Sequence, residues 1–191
     1  GVDPSMFPEI TSEPDMPTVS WVGRIDPLKD VVTLIESFEF VKREIPEAKL
    51  RLFGPIPDGN GSYHKECVAT VVRCGLGDSV TFEGPISPVN AAFEAGHVIA
   101  LSSISEGFPF TVIEAMMSGR ATVSTDVGGV AEAVGDAGVL VPPRDSKEMG
   151  KAMVELLRND RQRRSLGTAA RKRALSHLTL DLMADQYRDL C

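Results

Sequence analysis

Cysteine is scarce in this chain: three residues among 191, at positions 67, 74 and 191. They include no C-x-x-C pair, so neither a disulfide framework nor a cysteine zinc module is expected, and a reducing, cytoplasmic setting fits best. Cys67 and Cys74, seven apart in a helix-like segment, are expected on one helix face as buried thiols. His64, His97 and His177 are scattered and none falls in a loop that follows a strand, so no metal site is expected. There is no run of 18 or more apolar residues, hence no expected spanning helix. Gly1-Val2-Asp3-Pro4 lacks the basic start and apolar stretch of a secretory signal. Positive charge is in deficit, with 20 Lys/Arg against 27 Asp/Glu and a net charge of −7, which argues against a nucleic-acid partner. Several motifs are missing as well. Without G-x-G-x-x-G after the first strand, NAD is disfavoured, and without G-x-x-x-x-G-K-[ST] a P-loop is unsupported. G-x-S-x-G is absent, and no Asp-x-Asp pair argues for a metal bridging a diphosphate. No cofactor and no metal are expected.

The charge that is present is unevenly placed. Residues 144–173 hold ten Lys/Arg and four Asp/Glu, whereas the rest of the chain is strongly acidic. Such a stretch suits a solvated helical face, the commoner case, or peripheral contact with anionic lipid. Residues 1–17, with Pro4, Pro8, Pro14 and Pro17, read as a linker or extended arm. Strand-like and helix-like patterns then alternate. Strands are expected at 18–22, 49–53, 79–82, 97–101, 121–125 and 138–141. Helices are expected at 28–45, 63–74, 89–95, 110–118, 128–134, 147–158 and 160–176, with a last one over 179–190 after a break near His177. Apolar residues at 28, 31, 34, 35, 38, 41 and 45 give the first helix its buried face. Alternation of this kind implies an α/β fold, a Rossmann-like doubly wound parallel sheet of about six strands with C-terminal helices. We divide it into an arm (1–17), a Rossmann-like domain (18–176) and a C-terminal helix (177–191).

Ligands of such sheets sit beyond the strand C-termini at the switch point, and the candidate residues fall in those loops. After the first strand, Arg24 and Lys29 offer two cations to a diphosphate, against the bland alternative of surface pairing with Asp26 or Asp30. Gly54 follows the second strand, where glycine lets a ligand approach the backbone. Gly84-Pro85-Ile86 follows the third and can present backbone groups to a flat base. The richest stretch is Glu106-Gly107-Phe108-Pro109-Phe110-Thr111, leading into Glu114. A strand turning through Gly and Pro into a helix leaves backbone N–H groups and the positive end of a dipole free for phosphate. The two carboxylates accept from sugar hydroxyls. Glu114 sits in the apolar run Val112-Ile113-Glu114-Ala115-Met116, a setting in which a carboxylate needs partners. Gly128-Gly129 opens one more helix.

Together these pieces resemble the C-terminal, donor-binding domain of family 4 retaining glycosyltransferases of the GT-B fold. The likeness rests on Gly1-Val2-Asp3 with Phe7, Gly23-Arg24 with Lys29, Gly54-Pro55, Val80 to Gly84, the E-x7-E from Glu106 to Glu114, and Asp126-Val127-Gly128-Gly129. Lys29-Asp30, Tyr63, Glu66-Cys67, Leu101-Ser102-Ser103-Ile104-Ser105-Glu106 and Thr125 to Gly128 look closer to the PelF-like subgroup associated with bacterial exopolysaccharide synthesis. The segment between Gly128 and Gly138 looks trimmed relative to it.

The resemblance implies hexose transfer from a UDP-linked donor such as UDP-glucose to a glycan or other hydroxyl acceptor. It assigns Arg24 and Lys29 to the diphosphate, Glu114 to the ribose, and Glu106 to the donor sugar. Gly107, Phe108, Pro109, Phe110 and Thr111 would surround sugar and phosphates, with Ile86 near the base. It also implies an N-terminal domain as partner, contributing acceptor contacts. Other readings of the same fold are a non-catalytic nucleotide-sugar module serving a separate acceptor-binding chain, a nucleotide-sugar epimerase, and a scaffold without ligand.

Overall fold

The computed structural model describes residues 1–182. Six parallel strands form one sheet: β1 (Thr18–Val22), β2 (Lys49–Phe53), β3 (Val80–Gly84), β4 (Val98–Leu101), β5 (Ala121–Thr125) and β6 (Val139–Val141). Their order is β3-β2-β1-β4-β5-β6. The chain winds outward from β1 to β3, returns to the centre and winds the other way through β4 to β6, so the switch point lies between β1 and β4. This is the doubly wound architecture of one half of a GT-B fold. β4 and β5 are buried at every position and β1 at all but Val22, as expected of strands covered on both faces. The edge strand β3 instead alternates, with Thr81 and Glu83 turned to solvent.

Two apolar clusters flank the sheet. On one face α1 (Val31–Glu44) and α6 (Ser146–Arg158) pack together over Val19, Trp21, Leu50 and Val123, with Cys67 of α2 (Gly61–Arg73) beside them. On the other, α4 (Phe110–Met117), α5 (Val130–Val134) and α7 (Asp160–His177) enclose Ile99, Leu101, Ile113 and Met116, together with Phe93 of α3 (Asn90–Glu94). Val2 and Phe7 join this second cluster, so the proline-rich arm is tied down along its length. Val2 forms a parallel bridge to Thr179, and the Ile10 N–H donates to the Ser118 carbonyl at 3.0 Å. Glu13 accepts two hydrogen bonds from Arg163, at 2.9 and 3.1 Å, and Arg163 is only 3% exposed.

Several boundaries differ from the sequence expectation, and the first helix differs most. Residues 28–45 do not form one helix. Pro27–Lys29 make a 3-10 turn whose N–H groups at Leu28 and Lys29 are capped by Asp26, at 3.0 and 3.3 Å. Asp30 then takes φ +46° and caps α1 through Thr33. Leu28 is consequently exposed and lies off the buried face. Cys74 also departs from the reading: α2 ends at Arg73, and Cys74 is a half-buried cap residue while Cys67 alone is fully buried. Burial pushes the Cys67 thiol up to about 12, which leaves it inert as a nucleophile. Most of the helix expected over 179–190, and Cys191, lie outside the described residues.

Candidate functional site

The C-terminal ends of the parallel strands form one rim, and the loops after β1 and β4 meet there across the switch point. The 3-10 turn carries Lys29 toward the β4 loop. Leu28 and Lys29 are held to that loop through the backbone, by Ile104 N–H to the Leu28 carbonyl at 2.9 Å and Ser102 Oγ to the Lys29 carbonyl at 2.7 Å. The Lys29 ammonium donates to Glu106 Oε1 at 2.5 Å, with the side chains 22% and 11% exposed. Residues 77 apart in sequence thus form a half-buried ion pair on the rim. Lys29, Glu106, Phe108, Pro109, Phe110 and Thr111 line one small recess of about 130 Å³ there. Its floor is the start of α4. Pro109 occupies the cap position, no side chain caps the helix, and the Phe110 N–H turns back onto the Phe108 carbonyl at 2.9 Å. The first-turn N–H groups of Thr111 and Val112 are therefore left without a side-chain acceptor, at the positive end of the helix.

Arg24, Gly54 and Ile86 meet in a second recess of about 270 Å³, with Gly23, Pro55, Pro85 and Val89. Its walls are largely apolar, from the loops after β1, β2 and β3. Arg24 is not drawn into the Lys29 recess: its guanidinium pairs with Asp26 at 3.2 Å and is 64% exposed. The reason for Gly54 also differs from the expectation. A Cβ there would stand 1.7 Å from the Gly23 carbonyl oxygen, so the close approach is made by the chain's own backbone, and φ is +142°. Gly128 plays the same part for the glutamate loop: a Cβ would lie 1.7 Å from the Glu106 carbonyl oxygen, at φ +52°. Gly128-Gly129 accordingly seat the β5 loop against Glu106-Gly107 before α5 begins at Val130.

Glu114 lies one turn into α4, outside the two recesses. It is half-buried among apolar neighbours, and burial holds its carboxyl above the ordinary value of 4.5. No hydrogen bond or ion pair to its side chain is seen among the described residues, unlike Glu106. Gly107 and Phe108 also border a larger recess, of about 640 Å³, with Glu132, Arg173 and His177. His64 lies in a helix and not in a strand-following loop, as expected, yet comes near those loops. It stands in the first turn of α2, lines a recess with Gly54 and Gly84, and packs edge-on to Phe82 at 5.0 Å, hence close to the rim. His97 is at the opposite end of the sheet, accepting the Thr18 N–H at 3.2 Å. Sequence reasoning missed Ser103 and Thr125. Ser103 Oγ donates to Glu106 Oε1 at 2.6 Å, and Thr125 Oγ1 donates to the Ser103 carbonyl at 2.7 Å. The visible signal was a hydroxyl residue just beyond β4 and another at the C-terminal end of the adjacent β5. Among the described residues no group of acidic, His and Cys side chains could hold a metal, and no helix is long and apolar enough to cross a membrane.

The family model for glycosyl transferases group 1 matches residues 16–159. A trehalose synthase from Pyrococcus horikoshii is 30% identical over 189 residues, covering 93% of this chain and 44% of that protein. Among solved structures, sucrose-phosphate synthase from Thermosynechococcus elongatus superposes with a TM-score of 0.87 at 28% identity, over all of this chain and 51% of the other. HepE of Anabaena, solved with UDP-glucose, gives a TM-score of 0.91 at 22% identity over all of this chain and 55% of that one, which is a likeness of fold. The chain spans about half the length of these relatives or less.

Proposed function

The chain belongs to the glycosyl transferases group 1 family, and from that premise we propose that it is the donor-binding domain of a retaining hexosyltransferase of the PelF-like type. The observation that carries the reading is the Lys29–Glu106 pair beside the uncapped start of α4. A cation and open helix N–H groups suit the diphosphate of a nucleotide sugar, and a carboxylate beside them suits sugar hydroxyls. In this reading Lys29 and the first-turn N–H groups hold the diphosphate. Arg24, freed from Asp26, swings onto it, and its exposed position allows that movement. Glu106 accepts from the donor sugar, and Gly107 to Thr111 surround sugar and phosphates. Glu114 takes the ribose diol, whose two donors satisfy the half-buried carboxylate. The apolar recess at Gly54 and Ile86 takes the base.

The donor is UDP-linked, by analogy with HepE, which was solved with UDP-glucose. The acceptor is a glycan or other hydroxyl, in exopolysaccharide synthesis at the inner face of the membrane. Residues 1–17 serve as the interdomain linker, 18–176 as the nucleotide-sugar domain and 177–191 as the segment returning to an N-terminal domain. Acceptor contacts come from that domain, so this chain by itself binds nucleotide and transfers sugar poorly. The test is calorimetric titration of the chain with UDP, GDP and ADP. Selective binding of UDP, abolished by Glu114→Ala, is expected. Binding of none of them, or binding indifferent to Glu114, overturns the reading.

A further inference from the structure

Ser102 and Ser103 follow β4 directly and both are fully buried. Their hydroxyls act on opposite sides of the switch point. Ser102 Oγ donates across to the Lys29 carbonyl at 2.7 Å, while Ser103 Oγ donates forward to Glu106 Oε1 at 2.6 Å. The Ser103 backbone is itself fixed, because the buried Thr125 hydroxyl at the end of β5 donates to its carbonyl at 2.7 Å. Glu106 Oε1 therefore receives two donors, the Lys29 ammonium and the Ser103 hydroxyl. Oε2 carries no protein hydrogen bond among the described residues. Of the two donors, Lys29 sits on a flexible four-carbon stem and is a weak reference for position. Ser103 has one short side-chain bond, on a backbone locked to two adjacent strands, and is the rigid one.

We propose that Ser103 is a positioning residue: it fixes the Glu106 carboxylate so that Oε2 meets a hydroxyl of the donor sugar, while Lys29, held through its own carbonyl by Ser102, serves the diphosphate independently of Ser103. Thr125 transmits the position of β5 to Ser103, and the exposed Ser105 takes no part. The role rests on the donor reading above, and the test separates the two. Calorimetry with UDP and with UDP-glucose is run on the wild-type chain and on Ser103→Ala, Thr125→Val and Ser105→Ala, each checked for folding by thermal melting. Ser103→Ala should bind UDP as the wild type does and UDP-glucose about tenfold more weakly, the effect of losing one hydrogen bond to a charged group. Thr125→Val should shift the same ligand in the same direction, and Ser105→Ala should shift neither. Equal weakening of both ligands by Ser103→Ala, or no change in either, overturns the proposal. A crystal structure of Ser103→Ala reads the positioning without any ligand. A Glu106 carboxylate displaced from its Lys29-bonded place supports the role, and one that has not moved refutes it. If the wild-type chain binds neither ligand, the donor reading fails, and this structure still decides whether Ser103 sets Glu106.

Discussion

Replacing Glu114 by glutamine should make the protein more stable and a poorer binder. The Glu114 carboxylate sits in α4 between buried Ile113 and Ala115, and burial is the cause that raises its pKa above 4.5. Above that raised value the native state holds a charge it solvates badly, whereas the unfolded chain solvates it well. The native state thus binds a proton that the unfolded state has already released, and stability contributed at low pH is lost as pH rises through the native pKa. Glutamine keeps the shape and removes the charge. Solvent that still reaches the group reduces the gain, which at pH 7 should stay below about 1 kcal/mol, a rise in Tm of no more than about 2–4 °C for a domain of this size. The gain should shrink toward zero as pH falls below about 4.5, where the wild-type carboxyl becomes neutral.

Binding should move the opposite way. A ribose diol donates charge-assisted hydrogen bonds to a carboxylate and weaker, neutral ones to an amide. The difference of about 1.5 kcal/mol weakens UDP binding about tenfold. The assays are melting curves of both proteins from pH 4 to 8 and UDP titration at pH 7. A lower Tm for Glu114→Gln at pH 7 would mean that the carboxylate holds the fold together and would refute the electrostatic reasoning. A higher Tm with unchanged UDP affinity would refute the ribose role alone.

Lys29→Met leaves Glu106 half-buried with Ser103 as its remaining donor; it should cost about 1–3 kcal/mol in chemical denaturation and weaken UDP binding at least tenfold. Gly128→Ala forces a Cβ to within 1.7 Å of the Glu106 carbonyl oxygen at φ +52°. It should destabilise by more than about 2 kcal/mol and displace the glutamate loop, seen as loss of UDP binding in whatever folded protein is recovered. Burial, followed by the nearby Arg163, holds His97 below its ordinary 6.5. The unfolded chain takes up that proton first, so Tm should fall as pH drops below about 6.5, and His97→Gln should flatten the decline between pH 7 and 5; an equally steep decline in the variant would show that other groups are responsible.

The alternation of strands and helices was legible because it is local. Val98 to Leu101 is a run of four apolar residues and α4 begins where Gly107 and Pro109 interrupt the pattern, so neighbouring residues alone announce the element and its start. The parallel sheet follows, since each strand is separated from the next by a helix-length crossover. The rim also follows, and with it the set of loops in which Arg24, Lys29, Gly54, Ile86, Glu106 and the start of α4 had to lie. Neighbouring residues could not say which of these meet. Lys29 and Glu106 touch because strand order puts β1 beside β4, whereas Arg24, only five residues before Lys29, turns to Asp26 and opens on a different recess.

Other features depended on packing at a distance. The periodic stripe through Leu28 was real as a pattern, yet Asp26 and Pro27 set Leu28 in a separate 3-10 turn and α1 begins only at Val31. Gly54 read as an opening for a ligand and Gly128 as the start of a helix, but a Cβ at either would meet a backbone carbonyl from another loop. The arm at 1–17 had no periodicity to show that Val2 and Phe7 belong to a core or that Glu13 would meet Arg163, 150 residues on. Ser103 and Thr125 gained their roles only when β4 and β5 lay side by side. Composition and periodicity decided the elements, their order and the end of the sheet on which the candidate residues lie, because those depend on contacts along the chain. Tertiary structure alone decided which charges pair, which glycines are required and which carboxylate stays unpaired, because each of these depends on the distance between loops that the sequence keeps far apart.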